Sequence, residues 1–224
     1  MEREIIYTGD GSHSMKIREM GVTYHSIHGA IQESRHVFIE AGFYASDRLE
    51  RSDAVRIFEM GFGTGLNALL TLIESEKQKQ NIYYETIELD PLKPEEAKTL
   101  NYCNVLQRQD LQKIFERFHE CAWEEQIAIR PNFSFLKRGD NLLNFETSET
   151  FDLIYFDAFD PNVQPELWTQ RIFEKMFSIL RPGGILITYS SKGTIRRAMR
   201  AEGFVVEKIP GPPGKREIVR ALKT

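Results

Sequence analysis

The chain has 224 residues, a hydrophobic content of 41% and a formal net charge of −4. That size suits one sizeable globular domain with room for a sheet and flanking helices. No run approaches the roughly 18 apolar residues of a membrane span, no low-complexity segment appears, and the opening Met1-Glu2-Arg3-Glu4-Ile5-Ile6 does not resemble a signal peptide.

In chain order, residues 4–8 and 14–18 read as strands joined by the turn Gly9-Asp10-Gly11-Ser12-His13. Residues 28–42 follow as a helix through Ile31, Val37, Phe38 and Ile39. This hairpin and helix, 1–45, are expected to pack as an extension on a main domain, 46–224. His25 and His28 have H-x-x-H spacing, but no Cys or carboxylate pattern accompanies them, so no metal site is expected.

A strand at 55–59 then runs into Glu59-Met60-Gly61-Phe62-Gly63-Thr64-Gly65, and Leu66, Leu69, Leu70 and Ile73 give the next helix, 66–78, an apolar face. A glycine-rich turn between strand and helix binds nucleotides, because glycine allows close backbone approach and the helix start presents free N–H groups. A dinucleotide fingerprint is G-x-G-x-x-G/A; here the spacing is G-x-G-x-G and position 66 is Leu. Glu59 at the strand end would repel a pyrophosphate but can accept hydrogen bonds from a cationic amino group. Together these features favour S-adenosylmethionine (SAM) over NAD.

Strand 83–88 leads to helix 94–102. Residues 103–130 read as a helical insert, and strand 133–137 leads to Gly139-Asp140. Strand 152–156 leads to helix 165–180, with Trp168, Ile172, Met176 and Leu180 on one face; Pro182-Gly183-Gly184 turns the chain into strand 184–189, then helix 193–202. Strands 204–208 and 216–222 have no helix between them, so they must pair antiparallel. The expected fold is α/β: the seven-stranded, Rossmann-like methyltransferase sheet, with one reversed strand near the C-terminus and a small N-terminal hairpin. Cys103 and Cys121 form no C-x-x-C, which argues against disulfides and zinc and for the cytoplasm.

The candidate chemistry sits at strand ends. Glu88, 23 residues after Gly65, is the expected ribose-hydroxyl acceptor, with Asp90 as its competitor. Asp140 can accept from the adenine amine; the alternative is a cap. Asp157 ends a strongly apolar strand, where open α/β sheets place ligands, and would stand beside the transferable methyl. From Ser190 to Thr224 there are nine Lys/Arg and three Asp/Glu, which leaves the first 189 residues at −10. The basic segment can track phosphates, or it can be a solvated face.

With these residues in hand, the chain resembles the bacterial tRNA wobble-uridine methyltransferases of the MnmD type, similar to the methyltransferase half of the bifunctional MnmC enzymes. The resemblance runs through Asp10-Gly11-Ser12, Tyr24-His25-Ser26, Glu33-Ser34, the turn from Glu59 to Asn67, Asp157-Ala158-Phe159 with Pro161, Pro165 to Trp168, Arg181 to Gly184, and Lys215-Arg216-Glu217. It implies SAM-dependent methylation of 5-aminomethyl-(2-thio)uridine in the tRNA anticodon stem-loop, with a separate enzyme supplying the aminomethyl group. Asp157 is then the catalytic carboxylate. Glu59, Gly61, Phe62, Gly63, Gly65, Asn67, Glu88, Asp140 and Asp157 form the expected SAM site, with Tyr24 and Ser34 lining the methionyl end. Arg196, Arg197, Lys215 and Arg216 are expected to contact tRNA. The chain ends too early for the FAD oxidase domain of the bifunctional relatives, so no flavin is expected. The alternatives are an aminopropyltransferase-like or small-molecule amine methyltransferase, and a noncatalytic RNA-binding relative.

Overall fold

The computed structural model describes residues 2–46 and 54–224. Met1 and residues 47–53, the opening of the expected 46–224 domain, lie outside the described residues.

The N-terminal hairpin forms as expected, from β1 (Arg3–Tyr7) and β2 (His13–Ile17), and a third short strand, β3 (Val22–Thr23), completes a small antiparallel sheet. The expected helix follows as α1 (Ala30–Ser34), a π-helical stretch Arg35–Phe43 and α2 (Tyr44–Ser46). Val37, Phe38, Ile39 and Phe43 from this stretch are buried in the same core as the main sheet. Gly42 lets it lie flat there, since a Cβ at that position would stand 3.0 Å from Ile187.

The main elements are β4 (Val55–Met60), α3 (Leu66–Gln78), β5 (Ile82–Ile87), α4 (Pro94–Ala97), α5 (Tyr102–Val105), α6 (Gln112–Glu120), β6 (Ile127–Arg130), β7 (Phe133–Arg138) and β8 (Phe151–Phe156). They continue with α7 (Gln170–Ile179), β9 (Leu180–Thr188), α8 (Gly193–Ala201), β10 (Val205–Pro210) and β11 (Glu217–Leu222). The sheet order is β10-β11-β9-β8-β4-β5-β7-β6. β9, β8, β4, β5 and β7 run parallel to one another, while β11 runs antiparallel to both β9 and β10, and β6 runs antiparallel to β7. The reversed strand is therefore where the missing helix between 208 and 216 requires it.

Side chains alternate across the sheet. On β8, Leu153 and Tyr155 face a core shared with α3 and the N-terminal helix, while Ile154 and Phe156 face one shared with α7 and α8. Helix α3 is buried beyond its expected face: Ala68 and Leu72 are also inaccessible, because the N-terminal helix covers its second side.

Several expectations are corrected. Among the described residues the sheet has eight strands rather than seven. The extra strand is β6, in the segment expected to be wholly helical; Ile127 and Ile129 alternate with Ala128 and Arg130, and Pro131-Asn132 turns the strand back against β7. The expected helix 94–102 is interrupted after Ala97, and the one at 165–180 is a 3-10 turn, Pro165–Trp168, followed by α7; Thr169 between them is extended (φ −89°, ψ 160°). Finally, Arg181 to Gly183 belong to β9 rather than preceding it, because Gly183 N–H donates to Lys223 O (2.6 Å) and Gly184 O accepts from Lys223 N–H (3.1 Å).

Candidate active site

The carboxyl ends of β4, β5 and β8 surround a cavity of about 630 Å³, within the ordinary range for a cofactor site. The glycine turn between β4 and α3 forms part of its wall. Gly61 N–H donates to Ile87 O (3.1 Å), and Asp157 N–H donates to Met60 O (3.0 Å), so three strand ends are tied together at this point. Gly61 has φ +89°, and a Cβ there would stand 2.7 Å from the Asp157 carbonyl oxygen. No other residue fits between these strands without moving them. Gly65, in the left-handed region, begins α3, and its missing side chain leaves room for His119.

Two histidines hold the turn from below. His25 Nε2 is 2.7 Å from Thr64 Oγ1 and His119 Nε2 is 3.2 Å from Thr64 O. Burial lowers both imidazoles to about 4, so both are neutral near pH 7. His28 is exposed and shares no such role.

Glu88 lines the cavity. Its Oε2 accepts from Gly63 N–H (2.9 Å) and its Oε1 from Asp90 N–H (2.9 Å), which fixes the carboxylate against the turn. Asp90 turns instead to Arg3, at 2.8 Å. Asp140 also reaches the cavity, on a turn in which its Oδ1 accepts from Asn141 N–H (2.6 Å). Phe62, Gly63 and Tyr24 line the same space. Arg3 Nε donates to the Tyr24 hydroxyl (3.0 Å), and the Tyr24 ring packs edge-on against Phe159.

Asn67 joins two carboxylates. Its Nδ2 donates to Glu59 Oε1 (3.0 Å) and to Asp157 Oδ2 (2.9 Å), while Thr86 Oγ1 donates to Glu59 Oε2 (3.0 Å). Two acceptors on one side fix the amide's orientation. Asn67 Oδ1 is then left buried with no hydrogen-bond partner among the described residues, in a side chain that lines the cavity. Burial, and then Asp157, push Glu59 well above the usual carboxylate range. Burial likewise pushes Asp157 up to about 7.

Glu59 is fully buried beneath Asn67 and is not itself in the cavity wall. Ser34 is fully buried in α1, outside the cavity, and its Oγ has no hydrogen-bond partner among the described residues. Arg196 and Arg197 lie on α8; Arg196 Nε donates to Ser191 O (3.1 Å), and Arg197 is exposed, as is Arg216. Lys192 joins this segment to the cavity rim through Asp160, at 3.1 Å. Lys215 differs from its basic neighbours. It lines the cavity, and its Nζ stands 2.7 Å from Glu33 Oε1. The sequence reading assigns Glu33 and Tyr189 no role, yet both line the cavity. Glu33 sits in an apolar helical pattern, and its sequence signals are a charge at a position that proves buried and its place in the Glu33-Ser34 pair of the resemblance.

The fit to SAM rests on this donor set. An orphaned amide oxygen and a carboxylate suit a cation, a second carboxylate at the end of β5 suits a diol, and the glycine turn leaves room for a nucleoside. A family model described as S-adenosyl-L-methionine-dependent methyltransferase matches residues 105–224. The chain is 27% identical to the "tRNA 5-methylaminomethyl-2-thiouridine biosynthesis bifunctional protein MnmC" of Pseudomonas entomophila, over 92% of this chain and 33% of that protein. It is 30% identical to the protein of the same name from Magnetococcus marinus, over 90% of this chain and 31% of that protein. The chain thus spans about a third of the length of these curated relatives. The crystal structure of MNMC2 from Aquifex aeolicus superposes with a TM-score of 0.81 at 26% identity, covering 100% of this chain and 70% of that one.

Proposed function

The chain belongs to the S-adenosyl-L-methionine-dependent methyltransferases, and from that premise we propose that its acceptor is the primary amine of 5-aminomethyl-(2-thio)uridine at the tRNA wobble position. The product is the 5-methylaminomethyl nucleoside that figures in the names of its MnmC relatives. The observation that carries the reading is Asp157: a carboxylate raised to about 7, at the mouth of the glycine turn, in a cavity whose rim is joined by Lys192 to the basic segment.

When bound, SAM supplies an electrophilic methyl on a sulfonium, which departs as a neutral thioether. The protein's tasks are to hold the acceptor in line and to manage its protons. In this reading Asn67 Oδ1 receives the methionyl ammonium, with Glu59 behind it as the buried carboxylate that orients the Asn67 amide. Glu88 receives the ribose hydroxyls, and Asp140 the adenine amine. Phe62, Gly61, Gly63 and Gly65 shape the turn, and Tyr24 closes one side of the cavity. Ser34 has no direct contact in this scheme.

The acceptor arrives as an alkylammonium and is a nucleophile only when neutral. Asp157 accepts a hydrogen bond from the amine and takes up its proton; a carboxylate poised near neutral pH suits both steps. Positioning contributes most of the remaining acceleration. Arg196, Arg197 and Arg216 bind backbone phosphates of the anticodon stem-loop. An enzyme acting earlier must install the aminomethyl group.

The direct test is incubation with labelled SAM and tRNA from a strain lacking the modification, followed by nucleoside analysis. Label in 5-methylaminomethyl-(2-thio)uridine is expected. Label confined to small amines would refute the tRNA assignment.

A further inference from the structure

Glu33, Tyr189 and Lys215 meet on the cavity wall without a role in the scheme above. Lys215 Nζ stands 2.7 Å from Glu33 Oε1 and 3.8 Å from the centre of the Tyr189 ring. The other Glu33 oxygen accepts from Ser26 N–H (2.8 Å), so the carboxylate is held in place from behind. The Tyr189 hydroxyl donates to Ala158 O (2.8 Å), which ties the ring to the residue following Asp157. Glu33 and Lys215 also act on Asp157 directly: the first raises its pKa and the second lowers it.

The Lys215 ammonium thus lies against an aromatic face and a fixed carboxylate, close enough to the proposed catalytic carboxylate to perturb it. Such a box recognises an alkylammonium head through charge and the ring quadrupole. It has no feature that requires the head to belong to a lysine. A 5-aminomethyl group presents the same CH₂–NH₃⁺ terminus. The box and Asp157 also share one cavity, so an amine held in the box needs little movement to meet Asp157.

Resting on the tRNA reading given above, we propose that Glu33 and the face of Tyr189 form the acceptor-amine subsite, and that Lys215 occupies it until the substrate ammonium displaces it. The subsite selects a charged 5-substituent over a neutral one of similar size. It also gives Lys215 two positions: paired with Glu33 in the free protein, and released toward the incoming RNA once the amine is seated.

The test uses the full chain with two anticodon stem-loop RNAs that differ only at the wobble uridine, one carrying 5-aminomethyl and one 5-hydroxymethyl. The wild type is expected to bind the amine RNA at least about tenfold more tightly. Glu33→Gln, which keeps an acceptor for Ser26 N–H, should reduce that preference below about threefold while SAM affinity stays within about twofold. Glu33→Asp should restore part of it. Lys215→Ala, on a partly exposed turn, should increase the preference several-fold because no resident cation remains to be displaced. Tenfold discrimination retained in Glu33→Gln, or discrimination lost in Lys215→Ala, overturns the subsite. Those results leave the tRNA reading standing if the wild type still methylates the amine RNA. A wild-type protein that transfers no methyl to that RNA overturns both.

Discussion

Because Asn67 bridges Glu59 and Asp157, SAM binding is expected to depend on the protonation of Asp157. In the free protein burial holds Asp157 at about 7, so below that pH its carboxyl carries a proton. SAM bears a net positive charge. A unit charge about 6 Å from a carboxylate, at an effective dielectric of about 40, contributes about 1.4 kcal/mol. That equals about one pKa unit, or about a tenfold change in affinity. The complex therefore binds fewer protons than the free protein between about pH 6 and 7, and raising the pH favours the complex. Affinity should rise about tenfold in all from pH 5 to 8 and level off above about 7. Glu33 and Lys215 are the charged groups acting on this carboxyl, and Asn67 links it to the buried Glu59; Asp157→Asn leaves all of them in place. The variant should match the wild type at pH 5 and bind about tenfold more weakly at pH 8. Calorimetric titration with SAM across this range, in two buffers of different ionisation enthalpy, reads both affinity and proton release. The reasoning fails if the wild type varies less than twofold, or if Asp157→Asn keeps the same dependence after SAM's own titration is subtracted.

Three other predictions concern separate parts of the molecule. Asp157→Ala, assayed at saturating SAM, should lower methyl transfer to tRNA by about a hundredfold or more, the scale of a lost proton acceptor; near wild-type turnover would remove Asp157 from the mechanism. Charge reversal of Arg196 and Arg197 together should weaken tRNA binding and flatten its salt dependence without changing SAM affinity, and an unchanged salt slope in filter binding would place the RNA elsewhere. Gly61→Ala puts a Cβ 2.7 Å from the Asp157 carbonyl oxygen at φ +89°, so denaturant unfolding should show a loss of about 2 kcal/mol or more; a loss under about 0.5 kcal/mol would mean that the strand ends separate easily.

The parts of this fold that were legible are those written in local pattern. The glycine turn announces itself because a strand, three glycines and an apolar helix are contiguous, and the reversed β11 follows from a gap too short for a helix. β6 was hidden because four residues of alternation after a helical insert carry little periodic signal. In the site, Glu88 and Asp90 look alike in sequence and are told apart by long-range contacts: Gly63 N–H donates to Glu88, while Arg3, more than eighty residues away, pairs with Asp90. Glu59 is visible as an acid at a strand end, but its depth beneath Asn67 depends on how α3 seats on the sheet. Lys215 counts as one more positive charge in a basic segment until the fold turns it into the cavity beside Glu33.

The position of β11 has a consequence for synthesis. Among the described residues β10 has β11 as its sole sheet neighbour, and β9 is bordered by β8 and β11. A nascent chain that has not yet emerged past Glu217 therefore leaves β9 with an open edge flanked by Ile185, Leu186 and Ile187, and leaves β10 unpaired. An exposed apolar edge of that kind invites pairing with other chains. Lys215 enters the cavity on the turn that precedes this strand, so the docking step that closes the sheet also completes the cavity wall. A chain halted before Glu217 should yield a protease-sensitive, aggregation-prone intermediate without SAM affinity, and productive folding should require β11 to dock against β9.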